Sequence, residues 1–170
     1  MKIKNLLLAT FAIVASTITV NAQKTLVDVA VGSKDHTTLV AAVKAADLVA
    51  TLQSAGPFTV FAPVNAAFGK LPAGTVEYLL KPENKATLAK ILTYHVVSGS
   101  FNAAAVVKAI TDGGGKVTLK TVSGGNLVAS IKEGKVILTD ERGGVATVVA
   151  TDLAASNGLI HVLDAVVLPK

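Results

Sequence analysis

Apolar residues in the first half of the chain recur at helical spacing. Leu39, Val43, Ala46 and Val49 fall on one face, and Asp35 just upstream can cap the helix they predict. Gly56-Pro57 ends that helix, and FTVF at 58–61 follows as a short strand. Asn65 is placed to cap a helical turn through Ala66, Ala67 and Phe68, and Thr75 to Leu80 predicts another short helix. A cap signal near Asn84 precedes a helix with Leu88, Ile91 and Leu92 on one face, after which Tyr94 to Val97 reads as extended. Asn102 can cap a helix over Ala103 to Ile110, which the run Asp112-Gly113-Gly114-Gly115 stops. From there the period changes to two. Val117, Leu119 and Thr121 alternate on one strand, and Leu127, Ala129 and Ile131 on the next. Lys132-Glu133-Gly134-Lys135 marks a tight hairpin, Val136 to Thr139 returns, and Val145, Thr147 and Val149 form a further strand. Asn157-Gly158 predicts a last turn before a strand at 159–164. Helices followed by antiparallel strands predict an α+β domain.

Composition narrows this reading. The 170 residues suit one domain, and 51% are hydrophobic, enough for a core. Aromatics make up 4% and Trp is absent, so that core is built from Val, Leu, Ile and Ala. Residues 1–22 read as a signal peptide: Lys2 and Lys4 precede the apolar run LLLATFAIVASTITV, and Val20-Asn21-Ala22 offers small residues at a cleavage site. The run is short for a membrane-spanning helix. The expectation is export to a secreted or periplasmic location, with 23–170 as a single domain and no stable membrane span after cleavage. Without the leader, 14 basic residues face 11 acidic ones. The basic residues are scattered, among them Lys116, Lys120, Lys132 and Lys135, with no interleaved aromatics, which is not a nucleic-acid signature. There is no Cys, so neither disulfides nor a cysteine-linked lipid anchor enter the picture.

Catalytic patterns are sparse. His36, His95 and His161 show no metal-ligand spacing, and no serine lies in a nucleophile elbow. The glycine run 113–115 is not followed by the Lys-Ser/Thr of a phosphate-binding loop. Asp140-Glu141, ahead of Arg142-Gly143-Gly144, reads as a solvated turn. His95, beside Tyr94, has two readings: a recognition contact, or a buried imidazole hydrogen-bonded to a neighbouring loop. On a regular strand at 159–164, Leu159, His161 and Leu163 share one face and Ile160, Val162 and Asp164 the other, so His161 and Asp164 point apart.

Three segments together resemble the fasciclin-like (FAS1) domain family: FTVFAPVNAAF at 58–68, Tyr94-His95 in ILTYHVV, and NGLIHVLDAVVLP at 157–169. The resemblance extends over LVAAVKAADLVATLQSAG at 39–56 and nearly the whole chain after the leader. It departs at Val64, where the family carries a small polar residue beside the asparagine. The resemblance implies a wedge-shaped, antiparallel-rich β-sheet sandwich with several helices packed on one side. It further implies a secreted or surface-attached adhesion module that is not an enzyme and needs no cofactor. Thr59, Asn65, His95, Asn157, Gly158, His161 and Asp164 then fall in structural motif positions. Asp152-Leu153 resembles the Asp-Ile pair that serves adhesion in animal matrix members, and Tyr94-His95 a second such element.

Two functions follow. One is a module binding an extracellular or cell-surface protein or glycan through Asp152, Leu153, Tyr94 and His95. In that setting Asp152 has a second reading, as the cap of a short turn through Ala154 and Ala155. The other function is an exported hydrolase or small-ligand binder whose site assembles from scattered residues; a deep polar pocket joining His95 or His161 to an acid would mark it.

Overall fold

A computed structural model describes residues 24–170 of the protein. The leader expected at 1–22 lies outside the described residues. The first helix, α1 (Leu26–Val31), is one that the apolar spacing does not reveal, because it has only six residues. Thr25 and Asp28 close a capping box at its start. The single helix expected from Leu39 to Val49 is two, α2 (Thr37–Ala45) and α3 (Val49–Gln53), because Asp47 turns the chain at φ 55°. Asp35 does not cap α2. It lies in a 3-10 turn, Lys34–His36, whose own cap is Ser33.

The cap of α2 comes from far along the chain. Asn65 Oδ1 accepts from the Thr38 N–H at 3.0 Å, and its Nδ2 donates to the Lys34 carbonyl at 3.0 Å. Asn65 is therefore not the cap of its own helix, α4 (Asn65–Gly69). It occupies the first turn, and Val64 holds the cap position without a side-chain bond. After α5 (Thr75–Leu79), Asn84 precedes α6 (Lys85–Tyr94) but donates to the Tyr78 carbonyl at 2.6 Å instead of capping. Tyr94 closes α6 and His95 is its helical C-cap, so the extended segment begins only at Val96. Asn102 does cap α7 (Ala103–Asp112), accepting from the Ala105 N–H at 2.7 Å.

The described strands are β1 (Phe58–Pro63), β2 (Val96–Ser98), β3 (Lys116–Lys120), β4 (Asn126–Lys132), β5 (Lys135–Thr139), β6 (Val145–Ala155) and β7 (Gly158–Leu163). Their order is β2-β1-β7-β6-β5-β4-β3, and among these pairings only β1 with β7 is parallel. Thr121 falls just outside β3 and makes an isolated bridge to Val97. The strand through Val149 runs on to Ala155, because β6 serves both halves of the sheet. Its start pairs with β5 and its remainder with β7, with register shifts between Val148 and Ala150 and between Ala150 and Leu153.

Two apolar cores result. In one, α1, α2, α5 and α6 cover one face of β1, β2 and β7 through Leu39, Val43, Leu88, Leu92, Val60 and Ile160. In the other, Phe61 and Leu163 on the opposite face meet Leu127, Leu138 and Ala146 from β4–β6, with Val106 and Ile110 of α7 filling the gap. The alternation of β7 thus sends Ile160 to the first core and Leu163 to the second. At its start, a Cβ on Gly158 would run into the Phe58 carbonyl oxygen, so only glycine lets β7 approach β1 there.

Asn65→Ala should lower the unfolding free energy by about 1–2 kcal/mol, since it strips α2 of its cap. Urea titration checks this, and Asn65→Asp, which keeps the acceptor, should recover part of the loss.

Candidate functional site

Asp152 and Leu153 lie in the irregular part of β6, both exposed. Asp152 adopts φ 59°, a left-handed conformation that costs a non-glycine residue free energy but suits Asp and Asn best. Two contacts hold it there. Its N–H donates to His161 Nδ1 at 3.3 Å, and its Oδ1 accepts from the Ala103 N–H at 2.9 Å. Ala103 is the first residue of α7, so Asp152 helps cap that helix from 49 residues away. The expected turn through Ala154 and Ala155 is strand, and Asp152 does not cap it. Leu153 remains 39% exposed and Val149, on the same strand, 55%. The irregular stretch of β6 thus carries a carboxylate anchored to α7 and, along the same strand, two exposed apolar side chains.

His161 supports this bulge from behind. It is 2% exposed and lies stacked on Phe61 with ring centroids 5.5 Å apart. Because Nδ1 accepts from Asp152, Nε2 carries the proton and donates to the Phe101 carbonyl at 2.6 Å. Thr59 fixes the same loop: its hydroxyl accepts from the Phe101 N–H at 2.9 Å and donates to the Gly99 carbonyl at 2.7 Å. Asp164 is remote from His161 in role. Its Oδ1 accepts from the Thr147 N–H at 2.7 Å, and it faces Lys70 at 3.6 Å. Asn157 ties the last turn to two helices, accepting from the Leu26 N–H at 3.0 Å and donating to the carbonyls of Leu52 and Ser54.

Tyr94 and His95 are 0% and 2% exposed, so contact through either ring would require it to leave the core. The Tyr94 hydroxyl donates to the Asn126 carbonyl at 2.6 Å and accepts from the Glu141 N–H at 3.2 Å. Burial raises its pKa above the ordinary tyrosine value. His95 Nδ1–H donates to the Ile91 carbonyl at 2.8 Å, and Nε2 accepts from the Val167 N–H at 3.2 Å. Both bonds demand the neutral imidazole, and burial lowers its pKa to about 4. Asp140, expected in a solvated turn, is buried. It accepts from the N–H groups of Arg142, Gly144 and Leu168, which folds the turn back on itself and anchors the C-terminal segment. A carboxylate three residues ahead of Gly-Gly was the available signal for that turn.

No deep polar pocket joins either histidine to an acid among the described pockets. The cavity that His95 reaches, between α1, α2 and the sheet, holds about 40 Å³ and is lined by apolar residues such as Leu26, Val43, Leu92 and Ile160. That is room for a water or a few and far below the ~300 Å³ of a small-molecule site.

The histidine geometry sets a pH dependence. Unfolded His95 titrates near 6.5 and the folded side chain near 4. Its contribution is therefore complete above the unfolded value and is lost as pH falls towards the folded one. The loss should reach about 3 kcal/mol. His36, whose pKa burial also lowers, acts in the same direction. Denaturant titrations from pH 7 to pH 4 should show this decline, and His95→Gln should be less stable at pH 7 with a flatter profile.

Comparison with known proteins agrees with this architecture. The family model described as "Fasciclin domain" matches residues 34–169. Protein sll1483 of Synechocystis is 54% identical over 145 residues, covering 85% of this chain and 73% of that protein. The cell surface glycolipoprotein MPB83 of Mycobacterium bovis is 34% identical over 123 residues, 72% of this chain and 48% of that one. Among solved structures, the FAS1 domain pair of the insect cell adhesion molecule fasciclin I superposes with a TM-score of 0.74 at 19% identity, over 85% of this chain and 51% of that one. The fold is thus the FAS1 fold, one that occurs in adhesion and cell-surface proteins. With the family model spanning all but the first part of the chain, and a relative above half identity across most of it, this protein belongs to the fasciclin domain family.

Proposed function

We propose that this protein is an exported adhesion module that binds an extracellular or cell-surface protein or glycan through the β6 bulge. The observation that carries this reading is the bulge itself. Asp152 is held in a costly conformation by His161 and α7, and Leu153 and Val149 on the same strand are exposed. A fixed charge and exposed apolar side chains along one strand offer anchors for a macromolecule. Tyr94 and His95 act in this reading as positioning residues. They secure the end of α6, the 126–141 region and Val167 from inside.

Asp152→Asn separates contact from fold. Asparagine accepts the same hydrogen bond from Ala103 and tolerates the same φ, so only the charge is lost. The unfolding midpoint should stay nearly unchanged, while attachment of the labelled domain to the producing cell's surface should weaken severalfold at matched salt. Equal attachment would remove the carboxylate from recognition. Export itself is read from the leader, and the mature chain should begin at Gln23. N-terminal mass analysis of the protein outside the cytoplasm checks this, and a retained Met1 would contradict it.

A further inference from the structure

A second surface lies on the far side of the sheet from the helices. In β3–β5 and the start of β6, Leu119, Leu127, Ala129, Leu138 and Ala146 face the core, so the alternate positions face outwards. The registers place these in rows: Thr118, Val128, Thr139 and Val145 in one, Lys116, Ser130, Ile137 and Thr147 in the next, then Lys132 opposite Lys135. Lys116, Lys132 and Lys135 are all exposed, and Lys116 lies diagonal to Lys132 across one strand pair. Those outward positions carry no acidic residue. Glu133 sits on the hairpin turn, and the Glu141 carboxylate accepts from the Asn126 and Lys170 N–H groups at the other end of the face. None of the three lysines takes part in an ion pair among the described residues.

The Lys132–Lys135 pair is the informative feature. Like charges directly opposite across an antiparallel ladder destabilise the sheet. Lysines on an edge strand guard against edge-to-edge association, and that accounts for Lys116 and Lys120 on β3. It does not account for Lys132 and Lys135, which belong to inner strands and face each other in the last pair before the Glu133-Gly134 turn, just beyond the registers with β3 and β6. A face of hydroxyl groups and ammonium charges interspersed with Val128, Ile137 and Val145, without aromatic or Arg side chains, offers no stacking platform for nucleic-acid bases and no aromatic wedge for a bilayer.

We propose that this face binds an acidic polysaccharide, with Lys116, Lys132 and Lys135 meeting its carboxylate or sulfate groups and Ser130, Thr118 and Thr139 its hydroxyls. This rests on the reading of the protein as a surface-binding module but uses a face distinct from the β6 bulge. The test is binding of the domain to immobilised polygalacturonate and dextran sulfate, with neutral dextran as control, over a range of salt. The two polymers separate carboxylate from sulfate recognition. Wild-type protein should bind at least one polyanion and not neutral dextran. Lys132→Gln with Lys135→Gln should weaken binding about tenfold or more and lower the salt slope by about two. The control pair Lys44→Gln with Lys81→Gln, on the helical side, should change affinity less than about twofold. The unfolding midpoint of the Lys132/Lys135 variant should be unchanged or higher, which excludes misfolding as the cause. Unchanged binding in that variant, an equal loss in the control pair, or binding to anionic vesicles or DNA alone would overturn the proposal. If wild-type protein attaches to the producing cell but to neither polyanion, the polysaccharide inference falls and the adhesion reading stands; attachment to none of them removes both.

Discussion

Side-chain bonds from distant Asn and Asp residues to helix N-termini are the interaction on which this structure depends. The described helices are no longer than ten residues, too short to be stable alone. Each begins with N–H groups that have no partner within the helix. For α1, α2 and α7, part of that need is met by Asn157, Asn65 and Asp152, from other elements. Each of these helices is therefore completed by a residue of an element distant in sequence. Local and long-range structure form together, because neither satisfies its backbone alone.

The same logic explains the buried polar residues. Thr59, Tyr94, His95, Asp140 and His161 are all buried, and each serves backbone groups of a neighbouring segment. A buried polar atom without a partner costs about 1–3 kcal/mol, so these side chains are retained where an apolar residue would leave a loop unsatisfied. Both His95 and His161 make two bonds of opposite sense, one donated and one accepted, which only the neutral ring can do.

The candidate contact surface grows out of this network. The left-handed backbone at Asp152 is not a flexible loop, because His161 holds its N–H and α7 holds its carboxylate. Exposed Leu153 and constrained Asp152 belong to one irregular stretch, placed where β6 passes from one half of the sheet to the other. The outer lysine face lies on the half that carries no such bulge, so the two surfaces are separate in chemistry as well as in place.

The sequence by itself determined the α+β class, the period-two strands from Val117 onwards, the cap of α7 at Asn102 and the two faces of β7, because each is set by residues within one turn or one strand. The three segments that resemble the fasciclin-like family were legible for the same reason, as short runs of fixed residues. The partners of Asn65, Asn157 and Asp152 were not. A rule based on neighbours assigns Asn65 to α4 and Asp152 to the next turn, whereas their bonds reach 27 and 49 residues along the chain. The same limit hid the burial of Asp140, whose carboxylate looks solvated until Leu168 is folded against it. It also split the helix at Asp47 and concealed α1, since helices this short are decided by what they pack on. Sequence fixes which residues carry hydrogen-bonding groups and which must be buried; only the tertiary structure decides which distant backbone atoms those groups must satisfy.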